Sequence, residues 1–203
     1  MFSGNYILWE VDPQVDFMLP GGKLYVSGAE RLLPNIQRLT RAACENKAFL
    51  VSHGCFHPPD DAEFKIFPPH CLKGTAGAEF VPEALAENVA RVANEAEARL
   101  PEDLSAHQQI LLEKQTLDIF ESRHASTLVE RLGRDAEFLV FGVVTEYCVS
   151  FAVQGLLARG RRVAVIQDAI ETLNQEESRK TIATLQERGA RLTTTFEALA
   201  ALR

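Results

Sequence analysis

The 203-residue chain contains no apolar run approaching the roughly 20 residues of a membrane span, so a membrane partner is not expected. Its opening, Met1-Phe2-Ser3-Gly4-Asn5, lacks the basic region and long apolar stretch of a signal peptide, and a cytoplasmic location is expected. No basic cluster is present. With 21 Lys and Arg against 28 Asp and Glu, the net charge of −7 argues against nucleic acid as a main partner. The four cysteines, Cys44, Cys55, Cys71 and Cys148, show no CxxC pairing and read as cytosolic thiols rather than a disulfide framework. Internal repeats and low-complexity tracts are absent as well.

What the chain does have is a 46% hydrophobic composition, enough for a substantial core, and an alternation of apolar strands with amphipathic helices. Strands are expected at about 6–11, 47–53, 110–113, 137–141, 162–167 and 190–194. Helices are expected at about 28–45, 82–99, 122–132, 150–159, 175–188 and 196–202. The 82–99 helix is read from a stripe of Val81, Leu85, Val89, Val92 and Ala96. Pro34 sits a little late for a helix that starts near Ala29. Strands apolar throughout and separated by helices indicate a three-layer α/β/α fold around a mostly parallel sheet of about six strands. One domain over 1–203 is expected. It carries a long Pro-, His-, Asp- and Gly-rich loop segment at about 54–77 and an extra helical segment at about 82–109, placed over the site or in a subunit contact.

In open parallel sheets, ligands bind beyond the carboxyl ends of the strands. Asp12, Lys114 and Cys148 each fall just past such an end, so an acid, a cation and a thiol converge on one crevice. Cys148 lies where a strand gives way to a helix; unpaired N–H groups and the positive helix end there favour a thiolate and can bind an oxyanion. The cation would favour the thiolate and the carboxylate could take the thiol proton. Taken singly, Asp12 also reads as a turn residue, Lys114 as a solvated charge and Cys148 as a small core residue.

Four motifs carry a resemblance. Asp12-Pro13-Gln14-Val15-Asp16-Phe17 followed by Leu19-Pro20-Gly21-Gly22 resembles the opening motif of the isochorismatase-like cysteine hydrolases. Pro69-His70-Cys71-Leu72-Lys73-Gly74-Thr75-Ala76-Gly77-Ala78-Glu79 is similar to the central motif of their nicotinamidase branch. Gly142-Val143-Val144-Thr145-Glu146-Tyr147-Cys148-Val149 resembles the nucleophile motif, and Asp168-Ala169 the usual ending of the next strand. The resemblance runs from about residue 5 to 195, with the motifs in order.

It implies an Asp–Lys–Cys triad on Asp12, Lys114 and Cys148, a cis peptide between Val143 and Val144, and an oxyanion hole from the N–H groups of Val144 and Cys148. The family more often has a small residue where Val144 stands, and Gly-Thr where Gln115-Thr116 stands here. Relatives in this branch bind a divalent metal through an Asp, a His two residues on, a His six further and a His after Pro-Pro. Those positions read Cys55, His57, Glu63 and His70, a set that can still ligate Zn, Fe or Mn. A polar loop with hydrogen-bonded histidines, or a lost metal, is the plainer reading of the same residues. Phe17 and Phe67 align with aromatics that flank the substrate ring, although core packing is the commoner fate of Phe. His53 and His107 have no assigned partners.

The expected activity is hydrolysis of a small-molecule carboxamide through a thioester, nicotinamide to nicotinate and ammonia in its most specific form. Another amide, ureido or carbamoyl compound keeps the triad and changes the substrate. A non-catalytic binding or scaffold protein has no need of all three triad residues. A vinyl-ether hydrolase is disfavoured because that branch typically lacks the cysteine. No organic cofactor is expected, and a homo-oligomer is.

Overall fold

The structure, a computed structural model, describes residues 5–202. Residues 1–4, which make up most of the segment read for a signal, lie outside the described residues, as does 203. Seven strands form one sheet: β1 (Tyr6–Val11), β2 (Phe49–Cys55), β3 (Val89–Val92), β4 (Gln109–Lys114), β5 (Glu137–Gly142), β6 (Arg162–Ile170) and β7 (Arg191–Thr193). Their order is β3-β4-β2-β1-β5-β6-β7 and every neighbouring pair is parallel. Six helices accompany them: α1 (Val15–Met18), α2 (Leu33–Cys44), α3 (Ala125–Arg131), α4 (Ser150–Ala158), α5 (Gln175–Glu187) and α6 (Thr195–Ala201).

Successive residues of a strand point to opposite faces, and the core divides accordingly. Leu8, Leu50, Leu111 and Leu139 pack with Ile36 and Leu39 of α2 and Ala198 of α6. Ile7, Trp9, Val51, Ile110 and Val140 pack on the other face with Leu128 of α3, Val153 and Leu156 of α4 and Leu185 of α5. Both faces are covered, which is why the strands are apolar without alternation. A 3-10 turn, Ala29–Leu32, precedes α2, so Pro34 falls in the first turn of the α-helix, where a missing N–H costs nothing. Asn174 caps α5 by accepting from the N–H groups of Glu176 and Glu177.

The expected helix at 82–99 is not formed. Pro82–Ala84 makes a single 3-10 turn, and Val89–Val92 is the edge strand β3, paired residue by residue with Gln109–Leu112. Val89 and Val92 are β-branched, and the open edge of β4 needs hydrogen-bond partners; tertiary pairing therefore overrides an apolar stripe that also fits a helix. Leu85, expected in the stripe, is 40% exposed. This strand is the difference between six and seven.

Strand order reverses at β1, with β2, β4 and β3 to one side and β5, β6 and β7 to the other. The carboxyl ends of β1, β2, β4 and β5 thus open onto the crevice expected at such a reversal. No helix among the described residues is long and apolar enough to cross a membrane.

Candidate active site

The chain turns sharply as it leaves β1. Asp12 has φ 48°, a left-handed conformation, and its N–H donates to the His53 carbonyl at 2.8 Å. Lys114 is the last residue of β4 and faces Cys55 of β2 in register. Cys148 lies in the irregular turn Thr145–Val149 between β5 and α4. That turn is entered through Gly142, at φ 114°, where a Cβ would stand 2.1 Å from the Val11 carbonyl oxygen. The peptide between Val143 and Val144 is cis.

These elements bring the three sequence-derived residues together. Lys114 Nζ lies 2.9 Å from Asp12 Oδ2 and 3.5 Å from Cys148 Sγ. All three side chains are buried. Burial alone would lower the Lys114 ammonium, but the charge of Asp12, then those of Cys148 and Cys55, outweigh it and hold the group well above its ordinary value.

A second sulfur shares the cation: Cys55 Sγ is 2.8 Å from Lys114 Nζ and 3.9 Å from Asp12 Oδ2. The two sulfurs thus face one ammonium. Cys148 beside it, with Lys114, His57 and His70, holds Cys55 well below the usual thiol range against the cost of burial. The neighbouring Cys55 and burial push Cys148 up.

His53, which the sequence left without a partner, belongs here too. Its Nδ1 lies 3.3 Å from Asp12 Oδ1, the oxygen that Lys114 does not hold. Burial lowers its pKa despite Asp12, so the ring is neutral and Nδ1–H is the donor to the carboxylate. The available signal was position: His53 stands two residues before Cys55 on one strand and so on the same face. Gln14 was also missed. It clamps the end of β2 by donating Nε2–H to the Cys55 carbonyl at 2.5 Å and accepting the Cys55 N–H at 2.7 Å.

Cys55, His57 and His70 have ligand atoms within 4.8 Å of one another, all on buried residues. The orientation of both rings is fixed from behind. His57 Nδ1 meets Asp61 Oδ2 at 3.0 Å, and His70 Nδ1 donates to the Pro68 carbonyl at 2.8 Å. A histidine held so through Nδ1 presents Nε2 to an ion, and the buried His57 Nε2 has no hydrogen-bond partner. The donor set fits a divalent metal. Glu63 Oε1 stands beyond the three-residue group, 4.0 Å from His57 Nε2 and 3.7 Å from His70 Nε2. Burial lowers the His57 imidazole, but the charges of Cys55 and Glu63 and the hydrogen bond to Asp61 outweigh it and raise the group to about 9.

A cleft opens over these groups, and Asp12, Cys55, Glu63, His70, Val144 and Cys148 line it. Phe17 and Phe67 line it as well. Each packs against His70, with ring centroids at 5.2 and 6.4 Å. Tyr147 and Leu173, which the sequence did not single out, complete the wall. Leu173 is set by Glu146, whose carboxylate accepts the N–H groups of Leu173 and Asn174 at 3.0 and 2.9 Å and the Thr172 hydroxyl at 2.5 Å. The loop bearing His70 is tied down by Asp16, which accepts the Cys71 N–H at 2.7 Å. Gly77 makes room for that carboxylate, since a Cβ there would lie 2.3 Å from Asp16 Oδ2. Asp168, also noted from its motif, lies outside the lining and accepts the Thr195 N–H and hydroxyl at the start of α6. His107 is remote as well, with Nδ1 3.1 Å from Asn88 Oδ1.

A buried acid, cation and thiol meet at the carboxyl edge of a parallel sheet, and comparison with known proteins gives the family. The isochorismatase domain matches residues 85–197, more than half of the chain, and the chain belongs to that family. It is similar to the nicotinamidase of Acinetobacter baylyi (strain ATCC 33305 / BD413 / ADP1), 25% identical over 201 residues, covering 87% of this chain and 86% of the relative. The nicotinamidase of Escherichia coli K12 is 27% identical over 186 residues, covering 81% and 82%. Among solved structures, the pyrazinamidase of Pyrococcus horikoshii in complex with zinc superposes with a TM-score of 0.74 at 25% identity, over 94% of this chain and 99% of that one.

Proposed function

We propose that this protein is a cysteine hydrolase that converts nicotinamide to nicotinate and ammonia. The observation that carries the reading is the contact of Lys114 with both Asp12 and Cys148 on the floor of a cleft walled by Phe17 and Phe67. Asp12 takes the proton from Cys148 as its sulfur attacks the carboxamide carbon, and Lys114 stabilises the charge that moves between them. His53 keeps Asp12 turned toward that task by holding its other oxygen. The N–H groups of Val144 and Cys148 receive the carbonyl oxygen as it gains charge. The C–N bond then breaks and ammonia leaves with the proton held on Asp12. Water, deprotonated by the same carboxylate, cleaves the thioester and frees the acid.

Cys55, His57 and His70, with Glu63 beside them, would hold a divalent metal. Bound there, a metal supplies a Lewis acid that anchors the ring nitrogen of the substrate. Zinc suits a sulfur-containing set better than manganese does, and two nicotinamidase relatives and a zinc-bound pyrazinamidase neighbour support the same substrate and ion. Four unpaired cysteines support a cytoplasmic setting. Glu63 favours one second reading, because a carboxylate in the cleft wall suits a donor-rich ureido or carbamoyl substrate. Ammonia release from nicotinamide and from a panel of aliphatic amides and ureido compounds, with and without chelator, tests both. Activity on the ureido compounds alone would replace the substrate and leave the triad in place.

A further inference from the structure

The established resemblance accounts for one sulfur at the bottom of the cleft, and this chain has two. Cys55 and Cys148 both line the cleft, and both sulfurs contact the same atom, Lys114 Nζ, at 2.8 and 3.5 Å. A nucleophile needs only one of them. The other cysteines are placed differently: Cys71 Sγ turns toward the Gly77 carbonyl at 4.0 Å, and Cys44 ends α2.

We propose that Cys55 and Cys148 form a reversible intramolecular disulfide when a peroxide enters the cleft. Cys148 is the first sulfur attacked, because it is the more exposed of the two, at 6% against 1%. Its sulfur takes one oxygen of the peroxide, the O–O bond breaks, and the departing hydroxide is protonated to water, leaving a sulfenic acid. The Cys55 sulfur then attacks the Cys148 sulfur. An S–S bond forms, the S–O bond breaks, and a second water leaves with the Cys55 thiol proton. Two thiols lose two electrons in all, and one peroxide becomes two waters. Lys114 favours both steps, since its ammonium stabilises the attacking thiolate and the departing hydroxide. The bond occupies the nucleophile and the sulfur of the proposed metal set together. It also keeps Cys148 from the irreversible sulfinic acid.

The test is peptide mass mapping under non-reducing conditions, after brief hydrogen peroxide treatment of the protein as isolated. A peptide pair joined through Cys55 and Cys148, released by dithiothreitol, is the expected product. Activity should fall about tenfold or more and return with the reductant, as for other thiols held on the reversible rung of oxidation. In Cys55→Ser, Cys148 should go on to the sulfinic acid and dithiothreitol should not release it. Cys71→Ser should crosslink as the wild type does. Sulfinic Cys148 with free Cys55 in the wild type, or a crosslink through Cys71, overturns the proposal. The wild-type map decides the matter even if Cys55→Ser fails to fold. The loss of activity rests on Cys148 as the nucleophile, whereas the crosslink does not. A crosslinked protein that stays fully active would refute that role and leave the disulfide standing.

Discussion

Lys114 and His53 hold opposite oxygens of one carboxylate: Nζ meets Asp12 Oδ2 at 2.9 Å and the imidazole Nδ1 meets Oδ1 at 3.3 Å. Asp12 is thereby fixed in rotation with neither partner taking its proton-accepting role. His53→Leu should leave Asp12 paired with Lys114 and free to turn. A hydrogen bond to a charged group contributes about 1.5–3 kcal/mol, so kcat should fall roughly 10- to 100-fold with KM nearly unchanged. Steady-state kinetics check it; an unchanged kcat would reduce His53 to packing against Trp9, whose ring centroid is 5.9 Å away.

Cys148→Ala should lower kcat by at least about 1,000-fold, and adding Asp12→Asn should cost little more, because members of one catalytic unit fail together. Cys148→Ala and Lys114→Ala should differ in stability. Cys148→Ala should melt close to the wild type. Lys114→Ala leaves a buried carboxylate with its cation gone, a loss of about 3–5 kcal/mol, and should melt well below it. Kinetics together with thermal melts of each variant separate the two effects.

Glu10 gives the stability a pH dependence of its own. It is fully buried on the central strand β1, accepts from Ser52 at 2.6 Å, and burial raises its pKa from 4.5 to about 8. Between those values the unfolded chain has released a proton that the folded chain keeps. Stability from this group is therefore complete below the lower value and is lost as pH rises through the upper one, with a slope of up to about 1.4 kcal/mol per pH unit. Glu10→Gln stays neutral and should flatten the slope. Urea midpoints collected across that window measure it, and an unaltered slope would assign the effect to another group.

Metal affinity should depend on a residue that touches no metal. Asp61 holds His57 Nδ1 at 3.0 Å, so Asp61→Asn should weaken zinc binding about 10- to 100-fold while leaving the ligands intact. Competition with a chromogenic chelator gives the affinity directly. Equal affinity in the two proteins would remove the role given to Asp61.

Phe17→Ala should raise KM for nicotinamide more than it lowers kcat, since a stacking contact serves ground and transition states alike. The opposite split would place Phe17 in the support of His70, on which it also packs.

The parts of the site that could be read from the sequence were those marked by strand ends. Asp12, Lys114 and Cys148 each follow an apolar run, and a parallel sheet leaves such positions no option except the carboxyl edge. His57 and His70 were readable through the spacing of a motif. His53 shares a strand face with Cys55 two residues on, but nothing in the chain order pairs that face with the end of β1. β3 was misread for a related reason. Val89 and Val92 satisfy either a helical stripe or an edge strand, and the deciding fact, the unpaired edge of β4, lies about twenty residues further on and across space. Glu146 was quoted within the nucleophile motif, yet its partners at 172–174 belong to another loop, and nothing in the chain order links them.

That last contact fixes what would have to travel together if this chemistry were moved to another scaffold. Glu146 is two residues from Cys148, and it dictates where Leu173 stands and how α5 begins through Asn174. The nucleophile and the roof of its cleft are thus a discontinuous unit. A graft of 142–149 alone would deliver a thiol without its roof, whereas 142–149 with 171–174 would carry both.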